Sequence, residues 1–172
     1  QLADTLEYKA DIDPLSVFFN DRLANTLQTF ARLLGEAEGK KNLECADRLA
    51  NWLVEKTADK YSFEMIRGCF LTQKDEPLSQ GRKDSKALRK KLNDDNADEF
   101  LDIHQRVSEK ILNTLDQLNK QHTWTLNSHW YYCGEKFVEH YQLLKQQQRL
   151  LDFTDLEWRS YKLLQEIGRA HV

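Results

Sequence analysis

The 172-residue sequence has few of the residues that interrupt helices, with six glycines and two prolines. Leucine, lysine, glutamate, glutamine and alanine, which favour helices, are abundant instead. Tight hairpins usually need glycine or a similar turn residue, so this composition leaves little material for them. No stretch alternates apolar and polar residues clearly enough to indicate a strand. The sequence therefore predicts an all-α protein.

Long apolar runs, abundant cysteine and an excess of basic residues are missing as well. No run approaches the roughly 20 residues of a transmembrane helix, and no signal-like segment is visible, so we expect no membrane association. The three scattered cysteines, Cys45, Cys69 and Cys133, favour a reducing, cytoplasmic location. The net charge of −3 excludes a uniformly basic nucleic-acid-binding protein, so any DNA contact must come from a local cluster. Because the chain begins at Gln1 and contains one methionine, we expect a piece of a longer protein.

Helical periodicity predicts one helical domain over residues 1–172, a bundle that contains a long antiparallel helix hairpin. Asp13 and Pro14 have the pattern of a helix start, and the apolar positions that follow continue to Gly39. Residues 85–92 form a short basic helix. The hairpin consists of two long helices with a turn at residues 121–125. Their apolar stripes are Phe100, Leu101, His104, Val107, Ile111, Leu115 and Leu118 in the first helix, and Leu126, Trp130, Cys133, Phe137, Tyr141 and Leu144 in the second.

A basic cluster is the best candidate for a binding site. It places six cations within ten residues, against the single acid Asp84: Arg82, Lys83, Lys86, Arg89, Lys90 and Lys91. Lys86, Arg89 and Lys90 share one helix face. Such a face is either solvated or a contact for DNA phosphates, whose counterions it would release. Lys145 and Arg149 are possible auxiliary contacts.

The sequence gives little support for a nucleotide-binding site, a metal site or a catalytic site. The segment from Gly35 to Lys41 resembles a phosphate-binding loop, but its glycines are too close and Lys41 stands where Ser or Thr is needed, so it predicts a helix end. His129 and Cys133 have the spacing of half a zinc site, but no second half exists, and Cys133 is expected to be a buried structural cysteine. The sequence predicts no catalytic residue and no metal ligand.

Residues 150–168 predict a well-capped amphipathic helix. Thr154 is the expected N-cap, with Glu157 three residues later to complete a capping box. The order of residues in this stretch is distinctive. Leu151-Asp152-Phe153-Thr154-Asp155-Leu156 resembles the "(L)DFxDL" signature of UvrD/Rep-type superfamily 1 DNA helicases, especially the AddA and RecB-like branch. The matching signature residues are Asp152, Phe153, Asp155 and Leu156.

A second stretch is similar to the same family. Residues 70–77, followed by residues 86–90, resemble the "LT.KGEPRK…K.LRK" segment of AddA-like helicases, although Asp75 replaces a glycine and Leu78 replaces an arginine. The resemblance implies a fragment that covers the helical 1B accessory subdomain, with residues 150–168 leading back to the motor core.

The resemblance also implies a function. The parent protein would be an ATP-dependent DNA helicase that requires ATP and Mg²⁺ and acts in recombination and repair. This fragment would hold no cofactor, would be inactive alone, and would have DNA and the motor core as its partners. The alternative is a stand-alone α-helical protein-interaction module, which has no reason to bind DNA in a salt-dependent way.

Overall fold

The computed structural model describes residues 12–79, 82 and 84–170, and this part of the chain is mainly helical. Its described residues contain no β-strand, only an isolated bridge between Leu71 and Pro77. The predicted all-α fold class is confirmed. The helices in these residues are α1 (Pro14–Phe18), α2 (Asp21–Ala37), α3 (Lys40–Glu55), α4 (Lys60–Phe70), α5 (Lys86–Leu92), α6 (Asp94–Gln148) and α7 (Phe153–Ala170).

The chain divides into two compact units, residues 1–124 (the N-terminal unit) and residues 125–172 (the C-terminal unit). Residues 94–124 of α6 belong to the N-terminal unit, and residues 125–148 belong to the C-terminal unit. None of the described helices combines the length and the apolarity needed to cross a membrane.

Two helix starts follow the sequence prediction. Asp13 caps α1 by accepting hydrogen bonds from the backbone, and Pro14 occupies the first turn. Ser85 caps α5, where its hydroxyl oxygen accepts a hydrogen bond from the Leu88 amide at 3.2 Å. Short polar side chains with this geometry satisfy amides that the helix itself leaves unpaired.

The predicted single helix from Pro14 to Gly39 is wrong, because α1 ends before Asn20 and α2 begins after it. The Asn20 carboxamide oxygen accepts a hydrogen bond from the Leu23 amide at 2.8 Å, and its nitrogen donates to the Val17 carbonyl at 3.2 Å. An asparagine side chain that bonds the backbone on both sides competes with helix continuation. Asn20 therefore separates the two helices.

The N-terminal unit has an aromatic core. The ring of Phe30 on α2 stacks against Phe70 of α4 at 4.8 Å and against Phe100 of α6 at 5.0 Å, between ring centroids. Such pairs contribute about 0.5–1.5 kcal/mol beyond the area that they bury. The other large side chains that are fully buried are Phe18, Leu27, Leu33, Leu34, Leu49, Phe63, Ile66, Leu92 and Ile111.

Two lysines join distant parts of this unit by capping helix ends. The Lys91 ammonium donates to the carbonyl of Ala37, the last residue of α2, at 3.1 Å. The Lys110 ammonium donates to the carbonyl of Phe18, the last residue of α1, at 2.8 Å and lies 5.2 Å from the centre of the Phe18 ring. A cation stabilises the negative end of a helix dipole, so each lysine fixes a helix end to a later helix.

The antiparallel hairpin is not confirmed, because residues 121–125 are helical and α6 continues through them to Gln148. These five residues include neither glycine nor proline. The polar and aromatic residues present cost only a few tenths of a kcal/mol each, relative to alanine, inside a helix. A polar stretch without a helix breaker is therefore weak evidence for a turn.

The C-terminal unit leaves its apolar side chains exposed, and within its described residues only Lys145 is buried. The apolar stripe that was predicted for the second hairpin helix lies in the C-terminal part of α6. Its members were expected to be buried, and this expectation is wrong for all of them, including Cys133. None of the helices described in this unit covers the stripe. The exposed members are Leu126, Trp130, Cys133, Phe137, Tyr141 and Leu144.

Candidate nucleic-acid interface

Helix α5 carries the centre of the predicted basic cluster. Leu88 and Leu92 are buried in the core of the N-terminal unit, so one face of this short helix is held in place. Lys86 and Lys90 are exposed and form no ion pair with any residue that the structure describes. These two residues, the α5 lysines, are available to an anionic ligand.

Arg89 shares their helix but is already paired with three carboxylates. Its guanidinium lies 2.6 Å from Asp84, 3.1 Å from Asp94 and 2.8 Å from Asp98, between nitrogen and oxygen atoms. The hydrogen bonds that Arg89 donates to these carboxylates, first to Asp84, raise the pKa of Arg89 above its usual value. Arg89 therefore links the segment before α5 to the first turns of α6, and it is not positioned to pair with a phosphate.

The other cations of the cluster do not join the α5 lysines. Arg82 is 5% exposed and donates a hydrogen bond to the carbonyl of Cys69. Lys91 pairs with Glu38 at 3.1 Å in addition to capping α2. Lys83 lies outside the described residues. Among the described residues, Lys86 and Lys90 are thus the two cations of the six-residue cluster that are exposed and make no ion pair.

The residues that carry the family resemblance form a helix cap. The Asp152 carboxylate accepts a hydrogen bond from the Asp155 amide at 2.9 Å, and the Asp155 carboxylate accepts one from the Asp152 amide at 3.1 Å. This reciprocal pair begins α7 two residues before the predicted cap, Thr154 with Glu157, which is therefore wrong. Aspartate caps a helix as well as threonine does. The Asp152 carboxylate also forms an ion pair with a lysine.

That cation is Lys145 on α6. Its ammonium lies 3.0 Å from the Asp152 carboxylate, 2.7 Å from the Asp155 carboxylate and 4.9 Å from the centre of the Tyr141 ring. The Tyr141 hydroxyl donates to Asp152 at 3.1 Å. The Asp155 amide and then Lys145 lower the pKa of Asp152 to about 2. The predicted role of Lys145 as an auxiliary DNA contact lacks structural support, because its charge is buried between these acids. We call the cluster of Tyr141, Lys145, Asp152 and Asp155 the signature turn.

Arg149 ends α6 next to this turn. It adopts a left-handed conformation with φ of 53°, and the Leu150 amide donates to the Lys145 carbonyl at 2.9 Å. These features match a Schellman helix end. The Arg149 side chain is exposed and available for contact, as are the signature residues Phe153 and Leu156.

Neither a metal site nor a nucleotide loop emerges from the described residues. They contain no group of three or more His, Cys, Asp or Glu side chains that could hold a metal ion. The segment from Gly35 to Lys41 is a junction between helices, where α2 ends at Ala37 and Gly39 adopts a φ of 96°. The predicted helix end is confirmed.

Sequence reasoning missed a polar cluster inside the core. Cys45 of α3, Cys69 of α4 and His104 of α6 are buried near Arg82. Nε2 of His104 makes no hydrogen bond in the described part of the chain. Burial and the charge of Arg82 lower the pKa of His104 to about 4, so its imidazole is neutral at pH 7. No local motif marks this cluster, because its members lie on separate segments.

Comparisons of the chain with protein-family models, with curated proteins and with solved structures find no match.

Proposed function

We propose that this chain is the helical 1B accessory subdomain of an AddA/RecB-like, UvrD/Rep-type DNA helicase, and that it contacts DNA without an ATP site of its own. ATP and Mg²⁺ would bind to the motor core of the cytoplasmic parent protein. The observation that carries the proposal is the signature turn. The carboxylates of the DFxDL-like stretch fix the start of α7, which is the task expected of a segment that leads from the subdomain to the motor.

Two further features support this assignment. The α5 lysines lie in the stretch that is similar to the AddA-like segment, on a helix anchored by buried leucines. The apolar face of α7 is exposed, as expected of a helix that packs on another part of a larger protein. Its exposed members are Leu156, Leu163, Leu164 and Ile167.

DNA contact by the α5 lysines can be tested with a double substitution, Lys86→Glu with Lys90→Glu. Binding of the 172-residue chain to fluorescent single-stranded oligonucleotides would be measured by anisotropy at several salt concentrations. Two phosphate contacts predict a log–log salt slope of about −1.4, at roughly 0.7 per contact. The double variant should lose most of this binding on every DNA sequence tested.

The matched control is Lys40→Glu with Lys60→Glu, which makes the same change in net charge at exposed first-turn positions of α3 and α4. Arg89 should be left unchanged, because a glutamate there would add a fourth carboxylate to three acids. Circular dichroism checks folding. If the α5 double variant stays folded and binds like the control, the α5 lysines are only a solvated face.

The exposed aromatic side chains of α6 favour a second candidate, a helical module that binds a partner protein. Trp130, Tyr131 and Phe137 are each more than 70% exposed, and aromatic residues are enriched at protein interfaces. DNA affinity separates the two candidates. A wild-type chain without salt-dependent DNA binding would favour the interaction module over the helicase subdomain.

A further inference from the structure

Arg149 and Arg159 line one surface cleft of the C-terminal unit, at the place where α6 ends and α7 begins. The cleft has a volume of about 440 Å³. Both side chains are exposed, and neither guanidinium forms an ion pair or a hydrogen bond with any residue that the structure describes. Two like charges at one cleft repel each other, and an anion between them would remove that repulsion. We call this surface the arginine cleft.

Two helices and an ion pair hold the arginine cleft in shape. Gln146 lies in the last turn of α6, and Arg149 directly follows this helix. Asp155 and Arg159 lie one turn apart on α7. The Lys145 ammonium of α6 lies 2.7 Å from the Asp155 carboxylate, so it joins the two helices at the cleft. The two arginines are therefore held on the same surface by the signature turn.

The acid that would ordinarily neutralise Arg159 is already occupied. Asp155 precedes Arg159 by four positions, which is the spacing at which a carboxylate and an arginine on one helix usually pair. The Asp155 carboxylate instead accepts hydrogen bonds from the Lys145 ammonium at 2.7 Å and from the Asp152 amide at 3.1 Å. The guanidiniums of Arg149 and Arg159 are thus the charges of the cleft that no described carboxylate pairs with.

The lining of the cleft matches the chemistry of a phosphate. A guanidinium presents its N–H groups in a fixed planar arrangement that fits two phosphate oxygens at once. The side-chain amides of Gln142 and Gln146 line the same cleft and are further hydrogen-bond donors. Leu150 and Leu151, which are 56% and 44% exposed, add apolar surface. A phosphate that carries a nucleoside would contact both the polar and the apolar part of this lining.

We propose that the arginine cleft binds a phosphate group, with Arg149 and Arg159 as its two charged contacts. The phosphate belongs to a nucleic-acid strand or is a free ion, and the guanidiniums offer the same contacts to either. The site goes beyond the α5 lysines, which belong to the other unit of the chain. In a helicase subdomain it would give the strand a second contact, but phosphate binding at the cleft does not depend on that assignment.

Binding is tested on the full 172-residue chain by NMR, from the arginine side-chain signals and the backbone amide signals of the cleft. Inorganic phosphate and a thymidine tetranucleotide without terminal phosphates are titrated separately, and potassium acetate at matched ionic strength is the reference anion. The Arg149 and Arg159 signals should move with at least one phosphate probe and hardly at all with acetate. Half-saturation at a lower concentration of tetranucleotide identifies a strand as the ligand, and the reverse order identifies free phosphate.

The variant Arg149→Gln with Arg159→Gln removes both charges and keeps polar side chains. It should weaken binding of the preferred probe by about tenfold or more, because a charge-assisted hydrogen bond contributes about this factor. The matched control is Arg22→Gln with Arg48→Gln, which makes the same change in net charge at exposed positions of α2 and α3 and should bind like the wild-type chain. Circular dichroism compares the folding of both variants.

The proposal is overturned if neither phosphate probe moves the wild-type Arg149 and Arg159 signals, or if acetate moves them equally. It is also overturned if the folded arginine variant binds like its control. The variant Lys86→Glu with Lys90→Glu separates this site from the α5 lysines, since it should leave the shifts at the cleft unchanged. Failure at the cleft with a loss of DNA binding in the lysine variant would refute the arginine cleft alone. Shifts at the cleft with normal DNA binding by the lysine variant would refute the α5 contact alone.

Discussion

Lys56 ends α3 in the left-handed conformation, with φ of 49° and ψ of 37°. A Cβ atom costs about 1 kcal/mol in this region, whereas glycine adopts it freely. We expect Lys56→Gly to raise the free energy of unfolding by about 0.5–1 kcal/mol, measured in urea. Lys56→Ala, which removes the charge but keeps the Cβ, should leave it near the wild-type value. Equal stability of the two variants would contradict the backbone explanation.

Asp152 makes the signature turn sensitive to acid. Its pKa is about 2 in the folded chain against 3.8 for a free side chain. Because the folded value is the lower one, the stabilisation is complete above about pH 4 and is lost as the pH falls towards 2. In an NMR titration the Asp155 amide signal should move with a midpoint near pH 2, and Asp152→Asn should remove that transition. A midpoint near 4 would show that the cap is absent.

Individual charges show what the sequence could predict about the candidate site. Helical spacing predicted that Lys86 and Lys90 share one face of α5, and both side chains are exposed. Their neighbour Arg89 forms an ion pair with Asp98, which lies on another helix. Lys91 donates a hydrogen bond to the carbonyl of Ala37, which is distant in sequence. Such pairings depend on how helices pack, so no local pattern could have separated the exposed lysines from the paired cations.

Helical elements were predictable where local chemistry determines them. The short helix expected at residues 85–92 is present as α5, and the apolar stripe predicted for the first part of α6 is buried at Phe100, Val107 and Ile111. The same periodicity further along α6 leads to Trp130 and Phe137, which are exposed. Spacing identifies an apolar face, but whether another element covers that face is a property of the tertiary structure.

Because the apolar face of α7 is exposed and that of α2 is buried, substitutions in these two helices should change the free energy of unfolding by different amounts. Leu163→Gln and Leu164→Gln change side chains that are 58% and 68% exposed, so each should alter the free energy of unfolding of this chain by less than about 0.5 kcal/mol. Leu33→Ala opens a cavity at a fully buried position and should cost about 2–5 kcal/mol. Denaturant unfolding followed by circular dichroism measures all three. A loss above 2 kcal/mol in the α7 variants would mean that this face is covered.

The whole molecule is expected to hydrolyse no ATP. Its closest approach to a phosphate loop, the segment from Gly35 to Lys41, is the junction between α2 and α3, where α2 ends at Ala37. ADP release by the purified chain should equal the buffer blank, with or without single-stranded DNA. Turnover that DNA stimulates and that follows the protein through a second purification would reveal a nucleotide site in the chain.

The signature turn is local in sequence, which affects when it can form. Lys145 reaches Asp152 and Asp155 across only seven and ten positions, whereas the Lys110 contact with Phe18 spans 92. A loop of about ten residues closes in roughly 10–100 ns, long before distant segments of a chain of this size meet. The turn should therefore appear in the first events of folding and persist in a peptide of residues 137–160, so that α7 acquires its starting point before the N-terminal core exists.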